Sequence, residues 1–285
     1  MKARVPASSA NLGPGFDTLG LALSLYTEVT VTQAERLEIV SSGEGSSFPA
    51  NPNHFVAKMA RHVLGHDRLR IEVTSEIPVS RGLGSSASLA VAVVAACGHP
   101  DPLTVVAVHE GHADNAAAGV LGGFVTGTLI DGRVVANRLP LDPALTFVVV
   151  IPDRHLSTRD ARGVLPTTVP LADAVFNLGR MGALIAGMAD QSRLTPSAFA
   201  DRLHQEQRTA LYPESLMLLR ALTDAGALGS CWSGAGPTLL AACTRLTVEA
   251  VRAAGESMLA AVGMTGRSLI VEADTTGLVL TADQG

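Results

Sequence analysis

The stretch from Leu69 to Cys97 leaves this chain few ways to fold. Leu69, Ile71 and Val73 alternate with polar residues, the period of a half-buried strand, and the strand runs toward Pro78. PVSRGLGSSA follows from Pro78 to Ala87, and then SSASLAVAVVAAC, an Ala-rich run with Gly98 and Pro100 as stop signals. A strand therefore turns through glycines straight into a buried helix. Gly82 and Gly84 let the backbone approach a ligand closely. A helix that starts on Ser85 and Ser86 points free N–H groups and the positive end of its dipole at the same place. A polyphosphate is the natural occupant, and the serine hydroxyls can add hydrogen bonds or meet the magnesium ion that accompanies ATP. No Gly-Lys-Ser/Thr follows, which excludes a Walker A loop, and the third glycine of a dinucleotide fingerprint is missing.

A layered α/β or α+β protein suits the rest of the chain. The 285 residues are enough for one large or two intimate domains, and only ten aromatic residues accompany a hydrophobic content of 47%, so packing must run through Ala, Val and Leu. The net charge of −5 provides no basic field for nucleic acid or anionic lipid. Lys2 and Lys58 are the only lysines, and Lys58 reads as a solvated helix residue. Cys97, Cys231 and Cys243 are widely spaced among aliphatic residues, as expected of reduced thiols. The longest apolar run, Leu89 to Cys97, is short of the ~20 residues a membrane span needs, and the N-terminus has no signal-like apolar region. The expectation is a cytoplasmic protein with no membrane and no nucleic-acid partner.

Periodicity predicts strands at 2–6 and from 19, a helix at 55–64, helices at 103–110 and from 114, and strands at 124–130 and 133–138 around the Asp131-Gly132 turn. An apolar strand at 146–151 precedes a more helical region with candidates at 172–190, 196–207 and 213–224. Strands at 228–232, 238–243 and 268–273 and a helix at 248–259 complete the reading. The composition shift near residue 150 divides the chain into 1–150 and 151–285. In the first part, Ser8 to Phe16 forms a Gly/Pro/Asn-rich loop between two strands, a rigid mount for Asn11 and Asp17; by residue type alone it is equally an ordinary turn.

Three segments together resemble the GHMP small-molecule kinases. VPASSANLGPGFDTLGLAL, residues 5–23, is similar to the family's first motif, Pro78 to Ala87 to its central motif, and SGAGPT, residues 233–238, to its third, in the family's order. The resemblance implies an α+β GHMP kinase fold, with an N-terminal half like ribosomal protein S5 domain 2 and a ferredoxin-like C-terminal half. It implies an ATP-dependent transferase with Mg²⁺. Pro78, Arg81, Gly82, Leu83, Gly84, Ser85, Ser86 and Ala87, with Gly234 and Gly236, would surround the nucleotide phosphates, and Ser86 and Glu110 would hold the metal.

The form of the motifs further resembles the family's homoserine-phosphorylating members, whose reaction belongs to threonine biosynthesis. EGHADN, residues 110–115, followed by Gly122-Gly123, is similar to their Glu-Gly-His-Pro-Asp-Asn segment, with Ala113 in place of proline. That implies L-homoserine as substrate and Asn11, Asp17, His112, Asn115, Thr158, Arg162 and Arg208 as its contacts. Thr158 and Arg162 come from LSTRDAR, residues 156–162, and Arg208 from HQEQR. An arginine fork suits a carboxylate. Asn11, His112 and Asn115 are the candidate catalytic groups. Asn115 stands where mevalonate kinases carry an aspartate base and cannot accept a proton, so in-line transfer without a strong base is expected. Glu110 in solvent and Asp114 as a helix N-cap are the bland alternatives. Rival functions are a GHMP kinase for mevalonate, a sugar or shikimate, and a non-catalytic GHMP-fold sensor. A homodimer is compatible with all of these.

Overall fold

A computed structural model describes residues 1–282. The elements run β1 (Lys2–Ala10), β2 (Leu19–Gln33), β3 (Glu38–Gly43), α1 (Phe55–Leu64), β4 (Leu69–Ser75), α2 (Ser85–Ala96), α3 (Pro102–Glu110), α4 (Asp114–Leu121), β5 (Phe124–Ile130), β6 (Arg133–Leu139) and β7 (Leu145–Pro152). There follow α5 (Thr158–Gly163), α6 (Leu171–Ala189), α7 (Gln205–Arg208), α8 (Ser215–Asp224), β8 (Gly229–Trp232), β9 (Leu239–Thr244), α9 (Val248–Ala261), β10 (Gly266–Val271) and β11 (Val279–Thr281). The result is an α+β fold on two sheets.

The first sheet runs β11-β1-β2-β4-β3, and β5 joins β2 and carries β6. The length of β2 explains this layout: Leu19–Leu21 pair with β5, while Thr27–Gln33 pair with β4. In β4, Leu69, Ile71 and Val73 face inward and the residues between them are exposed, as the period of two requires. α2 lies over this sheet, and nearly all of its residues, including Val91, Val93 and Val94, are buried, so the helix has no polar face. Each such valine contributes about 1.5–3 kcal/mol of burial. A charge there would break the layer.

The second sheet has the order β10-β7-β9-β8. β7 is buried along its whole length because both faces are covered: Phe147, Val149 and Ile151 join one core cluster, Val148 and Val150 another. Its eight residues begin before residue 150 and pair with β9 and β10, while β11, near the other end of the chain, returns to β1 in the first sheet. Two strands thus tie the halves together. Burial pushes the Cys97 thiol up to about 11 and Cys243 to about 12, and Cys231 is also raised by burial; all three are free cysteines. Among the described residues no helix is long and apolar enough to cross a membrane.

Several boundaries differ from the sequence reading. β1 extends to Ala10 because Ala7–Ala10 pair with Leu23–Gly20, so the loop starts at Asn11 rather than Ser8. The expected helix at 196–207 is instead a 3₁₀ turn, Pro196–Phe199, and the single turn α7. The Asp201 carboxylate accepts the backbone N–H groups of Leu203, His204 and Gln205, and this side-chain capping replaces a continuous helical ladder. The short elements β3, α5 and β11 were not anticipated; they are held by long-range pairing or by a local cap.

Candidate active site

The residues of the glycine turn, the first loop and the 110–115 segment converge because α2, α3 and α4 end or begin on one side of the first sheet. Gly84 caps α2 at φ 65 with no side-chain cap bond, leaving the amides of the first turn without an intrahelical partner. The left-handed conformation alone favours glycine here. A Cβ at Gly84 would also collide with the Ser8 hydroxyl, and one at Gly82 with the carbonyl of Ser233. Ser233 Oγ donates to the Gly82 carbonyl at 2.6 Å, so the two glycine loops lie directly against each other.

A cavity of about 770 Å³ opens at this junction. Asn11, Asp17, Arg81, Gly82, Gly84, Ser85, Ser86, Ala87, Glu110, His112, Asn115, Thr158, Arg162, Arg208, Gly234 and Gly236 all line it. Pro78 and Leu83 lie in the same turn but are not among its lining residues; Leu83 is fully buried beneath it. Thr27, Ser41, Phe48, Asn53, His54 and Val73 line the cavity as well, around β2, β3, β4 and the start of α1. Among the described residues no lysine lines it.

Ser86 and Glu110 meet. Both line the cavity, and burial pushes the Glu110 carboxyl above the usual range, against the opposing effects of His112 and the Ser86 hydroxyl. A half-buried carboxylate and a hydroxyl at the mouth of a helix are oxygen donors of the kind a hard divalent cation takes. His112 Nδ1 lies 2.8 Å from Asp114 Oδ1, and that hydrogen bond raises the imidazole above its ordinary value although burial opposes it.

Asp114, fully buried, was legible in the sequence only as an N-cap, yet it organises this segment. Its Oδ1 also accepts the Asn115 backbone N–H at 2.8 Å and Asn115 Nδ2 at 3.2 Å. Asn115 Oδ1 in turn accepts from Ser8 Oγ at 2.9 Å. Both ends of the Asn115 amide are thereby oriented.

On the opposite side the first loop holds Asn11 at φ 70 and Asp17 at φ 50, two non-glycine residues in the left-handed region, where strain concentrates at functional sites. Asn11 Oδ1 accepts the Asp17 N–H at 3.0 Å, and Asn11 Nδ2 donates to the Gly234 carbonyl at 2.9 Å. Asp17 and Arg162 form a bidentate pair, at 2.9 and 2.7 Å. The pair raises the Arg162 guanidinium. The sequence reading gave these two residues separate parts of a substrate; the structure joins them to each other.

Arg208 is buried and pulled down to about 10, chiefly by burial and then by Arg162. Both guanidiniums approach the Phe16 ring, with Arg162 Cζ 5.5 Å and Arg208 Cζ 5.6 Å from its centre, and Phe16 stacks on His204 at 5.2 Å. Phe16 and His204 escaped the sequence reading, because a lone aromatic or histidine in a loop carries no periodic signal.

The profile of the GHMP kinases N terminal domain matches residues 53–123, and that of the GHMP kinases C terminal domain matches residues 172–261. This chain belongs to the GHMP kinase family and is an ATP-dependent small-molecule kinase. Within the family it groups with the homoserine kinases. It is 41% identical to the homoserine kinase of Moorella thermoacetica over 84% of this chain and 86% of that protein. It is 34% identical to that of Desulfitobacterium hafniense over 97% and 98%. The crystal structure of homoserine kinase from Cytophaga hutchinsonii superposes with a TM-score of 0.85 at 26% identity, covering 99% of this chain and 97% of that one.

Proposed function

We propose that this enzyme transfers the γ-phosphoryl group of ATP to the side-chain hydroxyl of L-homoserine, giving O-phospho-L-homoserine and ADP, a step of threonine biosynthesis. One observation carries the reading. A single cavity joins the oxygen pair Ser86–Glu110, beside a helix start and two glycine loops, to the opposite-charge pair Asp17–Arg162. The first end suits a metal-bound polyphosphate and the second a small zwitterion. The relatives named homoserine kinase support the same substrate.

Thr27, Phe48 and His54 would receive the nucleoside, and Gly82 to Ala87 at the start of α2, with Gly234 and Gly236, would hold the triphosphate; all but Leu83 line the cavity. Ser86 and Glu110 would hold Mg²⁺, which supplies charge neutralisation for the phosphates when bound. Homoserine exchanges partners with the protein: its ammonium takes Asp17, its carboxylate takes Arg162 and Arg208, with Thr158 nearby. A molecule carrying one of these charges leaves an unpaired guanidinium or carboxylate behind, a costly outcome. This disfavours mevalonate and shikimate, and a neutral sugar has no charge to exchange with the pair.

Asn115, oriented by Asp114 and Ser8, and Asn11 hold the attacking hydroxyl in line, with His112 on the same segment. Neither amide accepts a proton, and Asp114 is already bonded to three donors. The reading is therefore transfer through a loose transition state, driven by positioning and charge, in which the O–P bond to homoserine forms as the bond to ADP breaks and the hydroxyl proton leaves late, to the transferred phosphate or to water. The test is ADP release with homoserine, mevalonate, galactose and shikimate side by side. Turnover confined to homoserine is expected; a preference for another of these alcohols overturns the proposal.

A further inference from the structure

His204 is fully buried yet takes no part in the reading above, and its surroundings dictate its chemical form. Nε2 lies 2.7 Å from the carbonyl oxygen of Gly13, which can only accept, so Nε2 carries the hydrogen. Nδ1 lies 2.9 Å from Arg208 Nη1, which can only donate, so Nδ1 must offer its lone pair. A second proton on the ring would set N–H against N–H. Burial, with the Arg208 charge acting in the same direction, pulls the imidazole down to about 4 against the attraction of Asp201, whose Oδ2 is 3.7 Å from Nε2. The neutral tautomer is thus the working form.

Arg208 is held by the same contacts. Nη1 also donates to the Gly234 carbonyl at 2.9 Å and Nε donates to Ala161 at 3.3 Å. Those bonds engage Nε and Nη1 and leave Nη2 as the nitrogen that can present itself to the cavity that Arg208 lines. Gly234 takes Asn11 Nδ2 as well, so one histidine links the first loop, through Gly13, to the arginine and the third glycine loop. Asp201 in turn fixes the backbone of His204 by accepting its N–H at 2.8 Å.

We propose that His204 is a positioning residue for substrate recognition: its Nδ1 lone pair fixes the Arg208 guanidinium so that Nη2 faces the anionic end of the substrate. The proposal rests on the homoserine reading for the identity of that anion, and on geometry alone for the orientation of Arg208. It separates an arginine that merely lies nearby from one aimed at a carboxylate.

The experiment compares wild type with His204→Ala, His204→Asn and Arg208→Met, using homoserine and 3-aminopropan-1-ol, which lacks the carboxylate. Asn places an acceptor oxygen near the position of Nδ1. His204→Ala is expected to raise KM for homoserine about 10- to 100-fold, the worth of an oriented hydrogen bond to a charged group, with a smaller change in kcat. Its selectivity for homoserine over 3-aminopropan-1-ol should fall toward that of Arg208→Met, and His204→Asn should restore most of it.

Nitrogen NMR of His204 and of the Arg208 guanidinium reads the same claim without substrate: the Nε2–H tautomer and slow Nη rotation in wild type, fast rotation in His204→Ala. If wild type fails to phosphorylate homoserine, the functional reading falls and the NMR arm still decides the positioning. Fast Arg208 rotation in wild type overturns the proposal, as does a folded His204→Ala that keeps the wild-type KM and selectivity.

Discussion

The two ends of the cavity are built by different means. The end proposed for the phosphates has a local nucleus, since Gly82 to Ala87 are consecutive and Glu110 comes from the end of the next helix, and only the third glycine loop joins it from far along the chain, through Ser233 and Gly82. Its binding groups are mostly backbone amides whose direction follows from the start of α2. The end proposed for the zwitterion is made from side chains far apart in sequence, with 145 positions between Asp17 and Arg162. Local backbone geometry suffices to hold a phosphate, which every kinase of this family shares. A particular small substrate needs charges set at particular distances, and only long-range packing sets those.

Glu110→Gln should break the phosphate end most severely. If Glu110 holds the metal as proposed, loss of its charge lowers kcat by about 10²–10³-fold, measured by ADP release. The apo protein should not weaken. Burial raises the Glu110 carboxyl in the folded state, so its ionisation disfavours folding as pH rises past the unfolded value, and the neutral variant gains stability at pH 7 in urea titrations. A marked loss of apo stability would show that Glu110 is chiefly structural.

Gly82→Ala comes next. A methyl group must push the third glycine loop away from the second, and a displacement of about 1 Å is worth ~10²-fold in kcat/KM. Unchanged kinetics would mean that the contact of the loops is incidental.

The zwitterion end should fail differently. Asp17→Asn and Arg162→Gln are each expected to raise KM for homoserine by about 10- to 100-fold while leaving KM for ATP nearly unchanged. Stability should move by less than ~1 kcal/mol, because both side chains are more than a third exposed and the pair is screened. Asn115→Asp tests the hinge between the ends. It sets a second carboxylate beside Asp114, so kcat should fall rather than gain from an added base, and the like-charge pair should add an ionisation to the pH profile; a raised kcat would show that a base is wanted here.

The last effect concerns folding alone and leaves turnover at neutral pH untouched. His204 is held well below the ordinary histidine value of 6.5, so in the interval from there down toward 4 the unfolded chain binds a proton that the native state refuses. Stability must fall as pH drops through this interval, by at most about 1.4 kcal/mol per pH unit. Asp201, depressed in the folded state by His204 and its hydrogen bonds although burial opposes, adds to the loss at still lower pH. In His204→Asn the slope between pH 4 and 6.5 should flatten in urea titrations. A slope equal to that of wild type would assign the acid sensitivity to other groups.

Sequence alone determined the elements whose signal is local. The alternation of Leu69, Ile71 and Val73, the Ala-rich α2 and the Asp131-Gly132 hairpin all appear where their periods and turn residues put them. The helix at 196–207 did not form because its local composition lost to the Asp201 cap. Sequence could nominate Asp17 and Arg162 by likeness to a motif, but nothing in either segment says that the two bond to each other. It could not single out Asp114, Phe16 or His204, whose importance lies wholly in what surrounds them. Only the tertiary structure decided those relations, because hydrogen bonds and ion pairs between distant segments depend on separations of a few ångströms that no local propensity encodes.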